Sequence, residues 1–152
     1  MLVDTDVLIW YLKGNNNARQ EIEALSGFFI SVVTYIELVQ GMRNKQELIA
    51  LRRALRLWNA TVLYISEDIS AKALFYVEHH YLSHSMQLAD ALISATAVAN
   101  GLDIFTGNVK HYQVLKDLLI KEFNNLAENK IISETRDTLL PKLMNGQLEL
   151  KG

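Results

Sequence analysis

The chain has no cysteine and only one proline, Pro141, in 152 residues. The first absence excludes disulfides and thiolate metal sites. The second leaves a single proline-enforced helix break, close to the end of the chain. No apolar run reaches the ~18 residues of a membrane span. No basic segment precedes the apolar N-terminus, so a signal peptide is not expected and the chain reads as soluble and cytoplasmic. Positive charge is not in excess either: 15 Lys and Arg stand against 17 Asp and Glu, a formal net charge of −2. Whole-molecule attraction to nucleic acid is therefore excluded, and such a partner would need a local basic face. What the chain does have is apolar residues, at 50%, with 21% charged. That balance supports a sizeable core and argues against global disorder. The length fits one domain, or one domain with a small appendage.

Apolar runs and breakers lay out an alternating pattern. Strands are expected at Met1 to Thr5, Phe28 to Ile30, Ala60 to Ile65, Asp103 to Thr106 and Leu118 to Phe123. Helices are expected from Val7 to Leu12, Ala18 to Leu25, Val32 to Met42, Lys45 to Leu57, Ser66 to Tyr81 and Gln87 to Asn100, with a loop or turn over Gly107 to Tyr112. Strands alternating with helices imply an α/β fold with a doubly wound, mainly parallel sheet of about five short strands and helices on both faces. The pattern changes near Asn124, so residues 1–124 form the expected domain. Residues 125–152 are expected to form a helical C-terminal extension broken at Pro141.

Three apolar stretches each contain isolated acids. From Met1 to Leu12 the only charged side chains are Asp4 and Asp6; from Phe28 to Met42, Glu37; from Met86 to Leu102, Asp90. A buried carboxylate without a local partner is costly and tends to be paired, protonated or metal-bound. Taken singly, Asp4, Asp6 or Asp90 fits a helix cap and Glu37 an exposed helical stripe. Taken together they suggest one shared cation. Oxygen ligands without a His or Cys set favour Mg²⁺ or Mn²⁺ over zinc. Asp4, following the first strand, is placed at the carboxyl edge, where open α/β sheets hold ligands.

Four segments in order carry a family resemblance: Val3-Asp4-Thr5-Asp6-Val7-Leu8-Ile9, Tyr35-Ile36-Glu37-Leu38-Val39-Gln40-Gly41, Ala89-Asp90-Ala91-Leu92-Ile93-Ser94-Ala95-Thr96-Ala97, and Thr106-Gly107-Asn108-Val109-Lys110-His111-Tyr112. Over roughly Met1 to Phe123 the chain resembles PIN-domain nucleases of the VapC toxin branch. The resemblance implies a three-layer PIN-like fold and Mg²⁺- or Mn²⁺-dependent endonucleolytic hydrolysis of RNA. Asp4, Asp90 and Glu37 would be the catalytic, metal-binding acids. Asp6, Thr106, Asn108 and His111 would be supporting or substrate-binding residues, with His111 standing where many relatives carry an acid. The implied partners are RNA, a cognate antitoxin and a second copy of the chain, with no membrane.

Lys13, Arg43, Lys45 and Lys110 are expected near the carboxyl edge as phosphate contacts, while Arg52, Arg53 and Arg56 read as a solvated helix face. Trp10 and Tyr11 fit either partner contacts or core packing. The tail from Asn125 to Leu150 resembles the C-terminal end of a type I restriction specificity subunit, which implies packing on another chain. An alternative is a non-catalytic PIN-like interaction module or an accessory piece of a restriction complex. A haloacid-dehalogenase-type phosphatase, suggested superficially by Asp4-Thr5-Asp6, would also need a downstream lysine and an acidic Gly-Asp type motif, and the Asp90 stretch is neither.

Overall fold

The computed structural model describes residues 1–125; the expected extension, and the resemblance drawn on it, lie outside the described residues beyond Asn125. In chain order the elements are β1 (Leu2–Val3), α1 (Thr5–Leu12), α2 (Asn16–Glu23), β2 (Phe28–Ser31), α3 (Val32–Gln40), α4 (Lys45–Leu57), β3 (Ala60–Leu63), α5 (Glu67–His84), α6 (Leu88–Ala99), β4 (Ile104–Thr106), α7 (Val109–Tyr112) and β5 (Ile120–Glu122). The five strands form one sheet in the order β3-β2-β1-β4-β5, and every neighbouring pair is parallel.

That order determines where a ligand can sit. From β1 the chain winds outward through β2 to β3, then crosses back by α5 and α6 to β4 on the other side of β1. The winding direction reverses between β1 and β4, and such a switch point opens a crevice beyond the strands' carboxyl ends. β1 ends into Asp4 and β4 ends at Thr106, so both residues sit on that crevice.

Alternation along the strands divides the core in two, because successive strand side chains point to opposite faces. Val3, Phe28, Ile30 and Phe105 pack with α1, α2 and α4 through Leu8, Trp10, Tyr11, Ile22 and Leu51. Leu2 and Ile104 pack on the opposite side with α5, α6 and α7 through Ile69, Tyr76, Ile93 and Tyr112. Trp10 and Tyr11 are 2% and 0% exposed, which assigns both to the core.

Local chemistry sets the ends of the elements. β1 is two residues long, shorter than the expected Met1 to Thr5, because Asp4 already has the extended backbone of a helix cap and Thr5 is helical. Asn15 caps α2 through Ala18 N, so that helix begins at Asn16 instead of Ala18. β3 stops at Leu63 because its partner strand stops at Ser31, which turns to cap α3. α5 continues to His84, three residues past the expected end, and is stopped by Ser85 at φ +55°.

Candidate active site

Asp4 is buried, and its carboxylate is held from three directions. Oδ1 accepts from its neighbour's amide, Thr5 N, at 2.8 Å. Oδ2 accepts from Thr106 Oγ1 at 2.8 Å and from the Tyr112 hydroxyl at 3.0 Å. Thr106, fully buried, in turn accepts from Asn108 N at 3.0 Å, so Asn108 enters the site through its main chain. The Tyr112 hydroxyl also lies 3.3 Å from Asp90 Oδ1. One phenolic proton thus faces two carboxylates and can serve only one at a time. On its outer side Asp90 Oδ2 lies 3.2 Å from His111 Nδ1, and the His111 ring is largely exposed.

The other two acids sit beside this core. Asp6 Oδ1 accepts from Val7 N and Oδ2 from Gly107 N, at 2.8 and 2.9 Å, which ties the first turn of α1 to the loop after β4. Glu37 accepts from Thr5 Oγ1 at 2.8 Å, and that hydroxyl is 3.0 Å from Thr34 Oγ1. The structure therefore joins Asp4 and Asp90 through one tyrosine hydroxyl, and brings Glu37 to the same turn through Thr5.

Burial makes these carboxyls resist ionisation. Desolvation lifts Asp4 from 3.8 to about 6, against the hydrogen bonds from Thr106, Thr5 and Tyr112 and with a smaller push from the Asp90 charge. Asp6 is raised further, first by desolvation and then by the Asp4 charge. Asp90 is raised by desolvation, partly offset by the His111 ring and the Tyr112 hydroxyl. Tyr112 is pushed well above its ordinary value by burial and by the Asp4 and Asp90 charges, so it remains a proton donor.

Two carboxylates turned toward one hydroxyl, both disfavoured as anions by burial, are what a divalent cation would relieve. The donors are hard oxygens, which suits Mg²⁺ or Mn²⁺. Among the described residues no three His, Asp or Glu side chains converge into a ready-made cage. The pair therefore fits an ion that keeps several waters, the usual habit of Mg²⁺ when one or two carboxylates bind it.

A family model described as PIN domain matches residues 1–116. The chain belongs to the PIN-domain family. This PIN domain is 35% identical over 124 residues to "Ribonuclease VapC10" of Mycobacterium tuberculosis, covering 78% of the chain and 90% of that protein. It is 29% identical over 125 residues to "Ribonuclease VapC1" of Methanocaldococcus jannaschii, covering 82% and 87% respectively. Among solved structures, a toxin-antitoxin complex from Klebsiella pneumoniae aligns with TM-score 0.63 and 27% identity, over 80% of this chain and 98% of that one. The all-parallel five-stranded sheet between two helical layers is this chain's form of the PIN-like fold.

Tyr112 and Thr5 are the site residues that the sequence reading passed over. Tyr112 closes the Thr106 to Tyr112 segment, and its ring packs in the core among α5, α6 and α7. A tyrosine at a buried position carries a hydroxyl in need of a partner. That requirement, set beside a segment rich in polar residues, was the available signal. Of the expected basic contacts, Arg43 is occupied by Glu47, with Nη2 to Oε1 at 3.3 Å and Nε to the same oxygen at 3.3 Å. Lys13 lies over the Trp10 ring at 5.7 Å. Lys110 is exposed on α7, next to His111.

Proposed function

We infer that this PIN domain is a VapC-type endoribonuclease, the toxin of a toxin-antitoxin pair, acting on RNA in the cytoplasm with Mg²⁺ or Mn²⁺. The observation that carries the reading is the Asp4–Tyr112–Asp90 arrangement at the switch point of a PIN-family sheet. Relatives named ribonucleases, 29% and 35% identical, support the substrate class. The toxin-antitoxin structure from Klebsiella pneumoniae supports an antitoxin as partner. A second copy of the chain is the further partner we assign, as a homodimer. We assign residues 1–124 to the nuclease domain, with 125–152 appended to it.

Asp4 and Asp90 would hold the cation, and Glu37 would ligate it or orient the attacking water. When bound, the ion polarises the phosphoryl oxygens and makes hydroxide available near neutral pH. The residues of the chain do the remaining work. Thr106 and Tyr112 hold Asp4 in place, His111 flanks Asp90, and Asp6 fixes the loop that carries Asn108. Glu37, which accepts from Thr5, would accept the proton of the water where it does not ligate the ion itself. The water oxygen then attacks phosphorus, one P–O ester bond breaks, and the departing ribose oxygen takes up a proton from solvent. Lys110 beside His111 offers local positive charge for phosphate.

Incubation of the purified chain with total cellular RNA and Mg²⁺, followed by mapping of new ends, tests the reading. A defined set of metal-dependent cuts, absent in Asp4→Asn and Asp90→Asn, is expected. Equal cutting by those variants would remove the assignment.

A further inference from the structure

Beside Asp90 the surface dips into a cavity of about 270 Å³, lined by His84, Ser85, Met86, Gln87, Asp90 and His111. The corner between α5 and α6 builds it, and α7 supplies the facing wall. That corner is sharply bent: Ser85 adopts φ +55°, a left-handed conformation uncommon outside glycine. The bend is held from both sides. Ser85 N donates to Tyr81 O at 2.8 Å, and Gln87 Nε2 donates to Ser85 O at 3.0 Å.

The lining has a definite chemistry. Met86, 3% exposed, provides an apolar base. His84 Nδ1 is engaged with Ser83 Oγ at 2.6 Å and His111 Nδ1 with Asp90, so each ring has Nε2 left for a ligand. Gln87 uses its amide nitrogen at the corner and keeps its carbonyl oxygen as an acceptor. Two flat imidazoles, one amide oxygen and an apolar base therefore surround a space that shares Asp90 with the carboxylate pair.

We propose that this cavity is a nucleotide subsite that takes one base of the RNA next to the scissile phosphate, with His84 and Gln87 reading it. The proposal rests on the ribonuclease reading given above. A base is flat, presents hydrogen-bond donors and acceptors on its edges, and stacks on aromatic and imidazole faces. The cavity matches each of those properties. Because Asp90 lines both places, a phosphate held at the carboxylates brings its attached nucleotide to the cavity mouth.

The test separates the subsite from the reaction. The four ribonucleoside 5′-monophosphates, with inorganic phosphate as control, are titrated into the isotopically labelled chain while the imidazole resonances of His84 and His111 are followed. In parallel, kcat and KM are measured on an oligoribonucleotide that the wild type cuts, for wild type and for His84→Ala/Gln87→Ala. We expect nucleotide-dependent shifts at both rings that differ among the bases and exceed those from phosphate. We also expect the double variant to raise KM about tenfold, with kcat within threefold and a broadened cut-site preference. Wild-type KM and cut pattern in the double variant would overturn the subsite while leaving the ribonuclease standing. Shifts no larger than those with phosphate would overturn it as well. A wild-type chain that cuts no RNA with Mg²⁺ or Mn²⁺ would instead bring down the ribonuclease reading, and the subsite with it.

Discussion

Tyr112 gives its phenolic proton to Asp4 Oδ2 across 3.0 Å, although 108 residues separate them in the chain. The same hydroxyl lies 3.3 Å from Asp90, so it acts as a spacer between the two carboxylates. Tyr112→Phe removes the oxygen and keeps the ring in the core. Asp4 retains two other donors, so the loss of stability should be modest, about 1 kcal/mol. The effect on cation binding should be larger, roughly 10- to 100-fold weaker, as for other groups that orient ligands. Thermal melts and Mn²⁺ titration calorimetry measure the two separately. Unchanged Mn²⁺ affinity would show that the hydroxyl is only a packing group.

Asp4→Asn and Asp90→Asn should both eliminate metal-dependent cleavage. The metal-free Asp4→Asn protein should melt at or above the wild-type temperature near neutral pH, because the variant no longer buries a charge that desolvation disfavours. Circular dichroism melts in EDTA, run beside RNA cleavage assays, make the comparison. A variant that loses activity by unfolding would contradict the assignment.

The raised carboxyls also predict how stability depends on pH. In metal-free protein the folded Asp4 titrates at about 6 against 3.8 for its ordinary value, and Asp6 is raised further. Below the ordinary carboxylate range both folded and unfolded states hold these protons, and stability is greatest with respect to them. As pH rises from there through about 6 and beyond, the unfolded chain releases protons that the fold retains. Stability then falls, by up to about 1.4 kcal/mol per pH unit for each such proton. Urea denaturation in EDTA across pH 4 to 8 should show this decline. Mn²⁺ should flatten it, because a bound cation favours the ionised acids and binds more strongly as they lose protons.

Gly107 and Asp6 should behave as a structural pair. A Cβ at position 107 would lie 2.8 Å from Asp6 Oδ2, an oxygen on a carboxylate that two backbone amides hold in place. Gly107→Ala should therefore destabilise the domain by about 1–3 kcal/mol. Asp6→Asn should also lose stability, since one amide loses its acceptor, yet keep Mn²⁺ affinity within a few fold of wild type. Loss of Mn²⁺ binding in Asp6→Asn comparable to that in Asp4→Asn would make Asp6 a ligand instead.

The alternation of apolar segments and breakers was enough to locate the described strands and helices, because β1 to β4 are short apolar runs; β5, with Lys121 and Glu122 exposed, is marked mainly by its flanking Leu118, Leu119 and Phe123. The ends were less legible. Whether Asp4 finishes a strand or caps a helix depends on where the neighbouring ladder stops, which is a tertiary fact. The isolation of Asp4 and Asp90 in apolar runs marked both as expensive residues, and burial explains why no local partner was visible. Besides the adjacent Thr5 amide, the partners of Asp4 are the Thr106 and Tyr112 hydroxyls, roughly a hundred residues away, and no local pattern announces such a pairing. Glu37 was ambiguous for the same reason, since its link to the site passes through Thr5.

Asp4, Thr5 and Asp6 form one turn, and each reaches a different distant segment: Thr106 and Tyr112, Glu37, and Gly107. During synthesis the first residues leave the ribosome long before the last of those partners. A nascent chain that has emerged only through α6 has Asp90 and Glu37 but neither of the groups that anchor the far oxygen of Asp4. The carboxylate pair is assembled only when β4 and α7 follow. The order of the chain thus delays completion of the site until the last elements of the described domain have been made.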